Sequence, residues 1–186
     1  MQSGYGKYND KQLYEMLGDK KEIAEAAFGE LYARYAQRIY AYCLRITGNS
    51  DDARDIFQET FLKFFHSVER IKKMDNVAGY LIKIARNQCL NFKRFRRDNV
   101  SIEDYNITVN DTSYEQKELL QLVARALDML DFESREAFIL RQYHGLSYNE
   151  IASITGASVS SMKSRVWRAK LKLKEILDPF LHDLPK

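Results

Sequence analysis

Residues 131–174 read DFESREAFILRQYHGLSYNEIASITGASVSSMKSRVWRAKLKLK, and this stretch decides the fold. Ser147 is placed to cap a short helix, with Glu150 three residues on to complete a capping box. Leu146 and Ile151 take the flanking hydrophobic-staple positions. Gly156 stops that helix, because glycine takes the left-handed conformation at little cost. Ser158 is placed to cap a second helix, in which Val159, Met162, Val166, Ala169 and Leu173 recur at three- and four-residue steps. The opposite face carries Ser160, Ser161, Ser164 and Arg168, flanked by Lys163 and Arg165. This pattern predicts a helix-turn-helix whose second helix suits a DNA major groove. An ordinary helical hairpin with a solvated basic face carries similar charges. The coincidence of cap, staple, turn glycine and a serine-and-arginine face separates the two. Trp167 sits on the flank of the second helix, where edge packing or backbone contact is expected and core support and a direct DNA role stand equally as alternatives.

Working outward, Asp131 is placed to cap the preceding helix, which should end at Gly145. Before it, Leu119, Leu122, Val123, Ala126 and Leu130 predict a helix beginning near Tyr114 or Gln116. Residues 98–115, DNVSIEDYNITVNDTSYE, are acidic and lack a helical period. They read as a flexible linker. The boundaries are then 1–97, 98–115 and 116–186. After Pro179 the tail should break and fray.

Upstream, residues 76–97, NVAGYLIKIARNQCLNFKRFRR, put Leu81, Ile84, Ala85, Phe92 and Phe95 on one side of a helix. Lys83, Arg86, Asn87, Asn91, Lys93, Arg94 and Arg97 take the other, and no acid falls between Leu81 and Arg97. Solvated faces usually mix both signs, so this one points to nucleic acid. A helix capped by Ser50 should bury Ala53, Ile56, Phe57, Phe61, Phe64 and Phe65. It carries Asp52, Asp55 and Glu59 together on its outside. That acidic face is a solvated surface or a docking patch for a basic partner. A long helix over 23–46 and a short one over 10–17 precede it, the former with a stripe from Ala27 and Phe28 to Tyr42 and Cys43.

The 186-residue chain has 45% hydrophobic residues, enough for a buried core, and only 2 prolines and 8 glycines, which favour an all-α fold. The net charge of +3 is modest, but its distribution along the chain is uneven. Cys43 and Cys89 lie far apart and read as buried thiols. With three isolated histidines, no zinc spacing arises. No phosphate loop, nucleophile elbow or metal cluster is present, so no cofactor and no enzyme activity are expected. No signal peptide and no membrane-length apolar run occur, which predicts a cytoplasmic protein without membrane insertion.

These residues carry a resemblance. Residues 52–61, DARDIFQETF, are similar to the core-binding signature in region 2 of sigma-70 family factors. Residues 79–97 resemble the promoter-melting part of that region. Residues 134–173 resemble region 4, including Arg135, Phe138, Arg141, Gly145, Ser147, Glu150, Gly156, Lys163, Ser164, Arg165 and Arg168. The order, with no intervening domain, is that of the compact extracytoplasmic-function (ECF) group. Tyr80, Asn91 and Phe132 stand where the family often has Trp, an acid and Pro.

The resemblance implies two small helical domains, a region 2 bundle and a region 4 helix-turn-helix. It implies a sigma factor that binds core bacterial RNA polymerase and directs promoter recognition and opening. Asp52, Asp55, Gln58 and Glu59 would meet the β′ clamp helices. Lys83, Asn87, Asn91 and Arg94 would face the −10 element, with the connector at 69–77 helping to form a pocket for an extruded base. Ser160, Ser161, Lys163, Ser164, Arg165 and Arg168 would read the −35 element. Region 4 would also dock on the β flap. Such factors are monomers when free and are often held inactive by an anti-sigma factor. The rival reading is a two-domain repressor or activator that binds duplex DNA without polymerase.

Overall fold

A computed structural model describes residues 4–99 and 114–181, with side chains described for 4–92 and 121–180. Among these residues it has eight helices and no strand. They are α1 (Asp10–Met16), α2 (Lys21–Thr47), α3 (Ser50–Ser67), α4 (Val77–Asn99), α5 (Tyr114–Asp128), α6 (Phe132–Gln142), α7 (Tyr148–Thr155) and α8 (Val159–Leu181). Contacts divide them into two compact units. The first holds α1, α2, α4 and α3 from Asp51; the second holds α5 to α8.

In the first unit, helix starts follow from local side chains. Asn9 Oδ1 accepts from the Gln12 amide at 2.9 Å and Gln12 Oε1 from the Asn9 amide at 3.0 Å, a capping box that opens α1. Asn76 Oδ1 accepts from the Gly79 amide at 2.7 Å and starts α4. A Cβ on Gly79 would lie 2.8 Å from Asn76 Nδ2, so a side chain there would require the Asn76 amide to shift. The core is aromatic where α2 meets α3. Phe61 lies 4.9 Å from Tyr32 and 5.2 Å from Phe57, centroid to centroid, with Phe28 edge-on at 6.1 Å. Tyr14, Leu31, Tyr42, Cys43, Phe64, Leu81 and Ala85 are fully buried around this.

The α3 stripe is wider than the core can cover. Phe65, expected inside, is 39% exposed. It touches Phe28 edge-on at 5.4 Å and leaves its other side to solvent. Ser50 is the first residue of α3 rather than its cap, a one-residue difference within the ordinary scatter of helix ends.

In the second unit α8 is the spine. α5, α6 and α7 all pack on it. Ala126, Leu127 and Leu130 meet Ala169 and Leu173, with Val123, Phe138, Ile176 and Leu177 around them. The α6 helix stops at Gln142, three residues before the expected glycine, and Tyr143 closes it by donating to the Ile139 carbonyl. Helix α8 does not break at Pro179 but runs through it to Leu181. Residue 179 gives up its bond to the Glu175 carbonyl, and the helix continues for two residues beyond it. Of the expected linker, Asp98 and Asn99 continue α4 and Tyr114 and Glu115 open α5. Residues 100–113 lie outside the described residues.

Candidate nucleic-acid and docking surfaces

The helix-turn-helix is built from the caps upward. Ser147 Oγ accepts from the Glu150 amide at 3.2 Å, and Glu150 Oε2 accepts from the Ser147 amide at 2.8 Å and its hydroxyl at 2.7 Å. These donors hold the Glu150 carboxyl below its ordinary value. Gly156 ends α7 at φ 72°, the left-handed conformation, with its amide on the Ala152 carbonyl. Ser158 Oγ then accepts from the Ser161 amide at 3.1 Å and starts α8. Leu146, Ile151, Met162 and Val166 are buried beneath the turn, and Thr155 Oγ1 lies 3.6 Å from Met162 Sδ.

On the outer side of α8, Ser160, Lys163, Ser164 and Arg168 are exposed, while Ser161 and Arg165 are half-buried. Trp167 is 61% exposed, which removes core support from its alternatives. Asp131, the α6 cap, faces this group. Burial works against its charge. The Ser134 amide, with Arg168 and Arg165, nevertheless holds its carboxyl below the usual carboxylate range. Two residues outside the expected site set brace the two ends of α6. Arg141 donates to the Leu146 carbonyl at 2.9 Å and stands 4.9 Å over the Tyr148 ring. Arg135 donates to Asp128 Oδ1 at 2.6 Å, where burial raises the Asp128 carboxyl despite the guanidinium.

On α4, Lys83, Asn87 and Asn91 are exposed at successive four-residue steps, one strip opposite the buried Leu81, Ala85 and Cys89. Arg94 continues the helix, and its side chain lies outside the described residues, as does that of Phe95. Tyr80 is half-buried with its ring 6.4 Å from Phe64.

On α3, Asp55 and Gln58 are exposed and Asp52 and Glu59 are half-buried. Glu59 pairs with Lys63 at 3.2 Å, and Lys63 also donates to Gln88 Oε1 at 2.8 Å, tying the acidic face to α4. Asp55 is thus the most outward acid of the group.

The connector between α3 and α4 is irregular, yet α1 holds it. The Tyr14 hydroxyl donates to the Ile71 carbonyl at 3.0 Å and lies 3.1 Å from Ser67 Oγ. Lys11 Nζ pairs with Asp75 at 2.7 Å, a bond that lowers the Asp75 carboxyl and raises the Lys11 amine. Arg34 anchors α1 to α2 through Asp10 at 2.8 Å, and Tyr35 donates to the same carboxylate. Burial, with Asp10 beside it, pushes the Tyr35 phenol up. No local pattern marks these ties, since each joins residues 24 or more apart. Among the described residues no cluster of His, Cys, Asp or Glu could hold a metal ion, and no helix is long and apolar enough to cross a membrane.

Residues 31–99 match the family model for sigma-70 region 2, and residues 120–173 match that for sigma-70 region 4. The chain is 32% identical over 174 residues to the ECF RNA polymerase sigma factor SigE of Mycolicibacterium smegmatis, covering 89% of this chain and 66% of the relative. It is 34% identical over 140 residues to the ECF RNA polymerase sigma factor EcfG of Rhodopseudomonas palustris, covering 74% and 77%. Among solved structures, it resembles the sigma factor RpoE of Bartonella quintana, crystallised with the anti-sigma factor NepR. The TM-score is 0.72 at 30% identity, over 81% of this chain and 96% of that one.

Proposed function

The chain belongs to the sigma-70 family of promoter-recognition factors for RNA polymerase, in its ECF group, and on that premise we propose how its surfaces divide the work. The observation that carries the division is that the N-terminal unit has its own outward cationic and amide strip, Lys83, Asn87 and Asn91, besides the helix-turn-helix of the other unit. A duplex-binding repressor or activator needs only the latter, and that rival reading is not favoured.

Asp52, Asp55, Gln58 and Glu59 dock on the β′ clamp helices of the core. Lys83, Asn87, Asn91 and Arg94 hold the −10 element, the backbone through charge and the bases through amides. The connector at 69–77 helps capture one extruded base. Ser160, Ser161, Lys163, Ser164, Arg165 and Arg168 read the −35 element as duplex, while region 4 rests on the β flap. The domains divide at 1–97 and 116–186, and the acidic linker follows the basic RNA exit channel as a mimic of nucleic acid. The free protein is a cytoplasmic monomer available to an anti-sigma factor, the class of partner seen with the Bartonella relative.

Run-off transcription with core polymerase and a promoter library, followed by sequencing of starts, tests this reading. Enrichment of a two-element promoter is expected, and its absence overturns the proposal. In a native pull-down with core polymerase Asp55→Ala should weaken core binding by about 1 kcal/mol, roughly fivefold, with the domain still folded. Full retention of core affinity would remove the acidic face from the interface.

A further inference from the structure

Three positions on one side of the α1 segment meet the α3–α4 connector in reverse order. Gly18, just past α1, lies beside Val68, whose Cγ1 is 3.7 Å from where a Cβ on Gly18 would stand. Tyr14 reaches Ser67 and the Ile71 carbonyl. Lys11 reaches Asp75. The spacing 11, 14, 18 is that of one helix face, and the partners 75, 71 and 67–68 run antiparallel to it. The connector lacks a helix of its own. Its inward anchor is Met74, and Glu69, Arg70, Lys72, Lys73 and Asp75 all face solvent. Such a chain has little to fix its shape, and a base pocket made from it works only if that shape is set before the base arrives.

The bar that sets it is itself fixed to the body of the unit. Leu13 and Leu17 are buried. Arg34 bonds Asp10 and the carbonyls of Tyr8 at 2.9 Å and Gly6 at 3.2 Å. The Tyr14 ring is fully buried 5.6 Å from Phe64, so its hydroxyl is delivered to the connector from a rigid site.

We propose that α1 is a splint for the connector, with Tyr14 and Lys11 as positioning residues for capture of a −10 base. They do so without touching DNA, by holding Ile71 and Asp75 at the two ends of the exposed loop. This role rests on the reading of the connector as the base pocket.

The test uses holoenzyme assembled from the full chain and core polymerase. The probes are fluorescent single-stranded oligonucleotides carrying the selected −10 sequence or a single-base change of it. Tyr14→Phe, which keeps the buried ring and removes only the hydroxyl, should lower the ratio of the two affinities about five- to tenfold. Core affinity and duplex −35 binding should stay as they were. Lys11→Glu, at an exposed position where folding is not at stake, sets like charges against Asp75 and should move the ratio in the same direction by less. A merely structural role would lower both affinities together and leave the ratio fixed; that result overturns the proposal. Replacing residues 69–75 by a Gly/Ser run of equal length separates the two levels. If this leaves the ratio unchanged, the connector is not the pocket and the splint falls with it. If it abolishes the ratio while Tyr14→Phe and Lys11→Glu preserve it, the splint alone falls.

Discussion

The two units of this sigma factor share local helix caps and differ in the polar ties described beyond them. In the N-terminal unit they cross the sequence: Lys11 to Asp75, Tyr14 to Ser67 and Ile71, Arg34 to Asp10, Lys63 to Gln88. In the C-terminal unit those described span a turn or two: Arg141 with Leu146 and Arg135 with Asp128, beside the caps of Asp131 on Ser134, Ser147 on Glu150 and Ser158 on Ser161. The first unit is a set of long helices pinned across their middles. The second is a chain of short helices, each begun and ended by its own residues, laid on α8. A lesion should therefore spread through the first unit and stay local in the second.

The largest expected effect comes from removing the hub of the first unit. Tyr14→Ala deletes a fully buried aromatic together with its bonds to Ser67 of α3 and to the Ile71 carbonyl, and should cost about 3–5 kcal/mol. The single tryptophan, Trp167, lies in α8 and reports the second unit alone, while far-UV circular dichroism reports both. The dichroism should gain an early transition while the fluorescence midpoint stays put; movement of both would mean that the units unfold as one.

Ser147→Ala should act the other way round. Loss of the cap costs the second unit about 1 kcal/mol and shifts the fluorescence midpoint, with no change in the part of the dichroism that belongs to α1–α4. Smallest is a pH effect at the same cap. The Glu150 carboxyl is held below its ordinary value of 4.5. Its stabilising contribution is complete above that value and is lost as pH falls through the lower folded one. Between about pH 6 and about pH 3.5 the fluorescence midpoint of Glu150→Gln should therefore fall less than that of the parent chain. Equal falls would show that other carboxylates carry the acid sensitivity.

The same difference in range explains what the sequence reveals of each unit. The Ser147/Glu150 box, the Gly156 stop and the Asp131 cap are all legible because each is written within three to nine residues. The helices of the first unit are legible too, since Leu81, Ala85, Ile56 and Phe61 recur at helical steps and are buried. Its cross-chain ties are not. Nothing near Lys11 announces Asp75, and nothing near Tyr14 announces Ile71; only the folded path of α2 and α3 brings them together. Phe65 and Pro179 depart from expectation for a related reason. Periodicity marks a stripe but not how much of it neighbours cover, and a proline takes away one bond to the turn before it without forbidding helical residues after it.

Helix α8 carries a further consequence. Its 23 residues make a rod of about 35 Å, whereas a major groove is about 12 Å wide. Ser160 to Arg168 occupy the leading end, and Ala169, Leu173, Ile176 and Leu177 are the seat for α5 and α6. The exposed side chains of the leading end and the buried seat therefore share one rod on different faces, with Met162 and Val166 continuing the buried face beneath the turn. If the proposed reading of the −35 element holds, grafting other side chains at 160, 161 and 164 should readdress the factor to a different promoter element and leave its foundation as built.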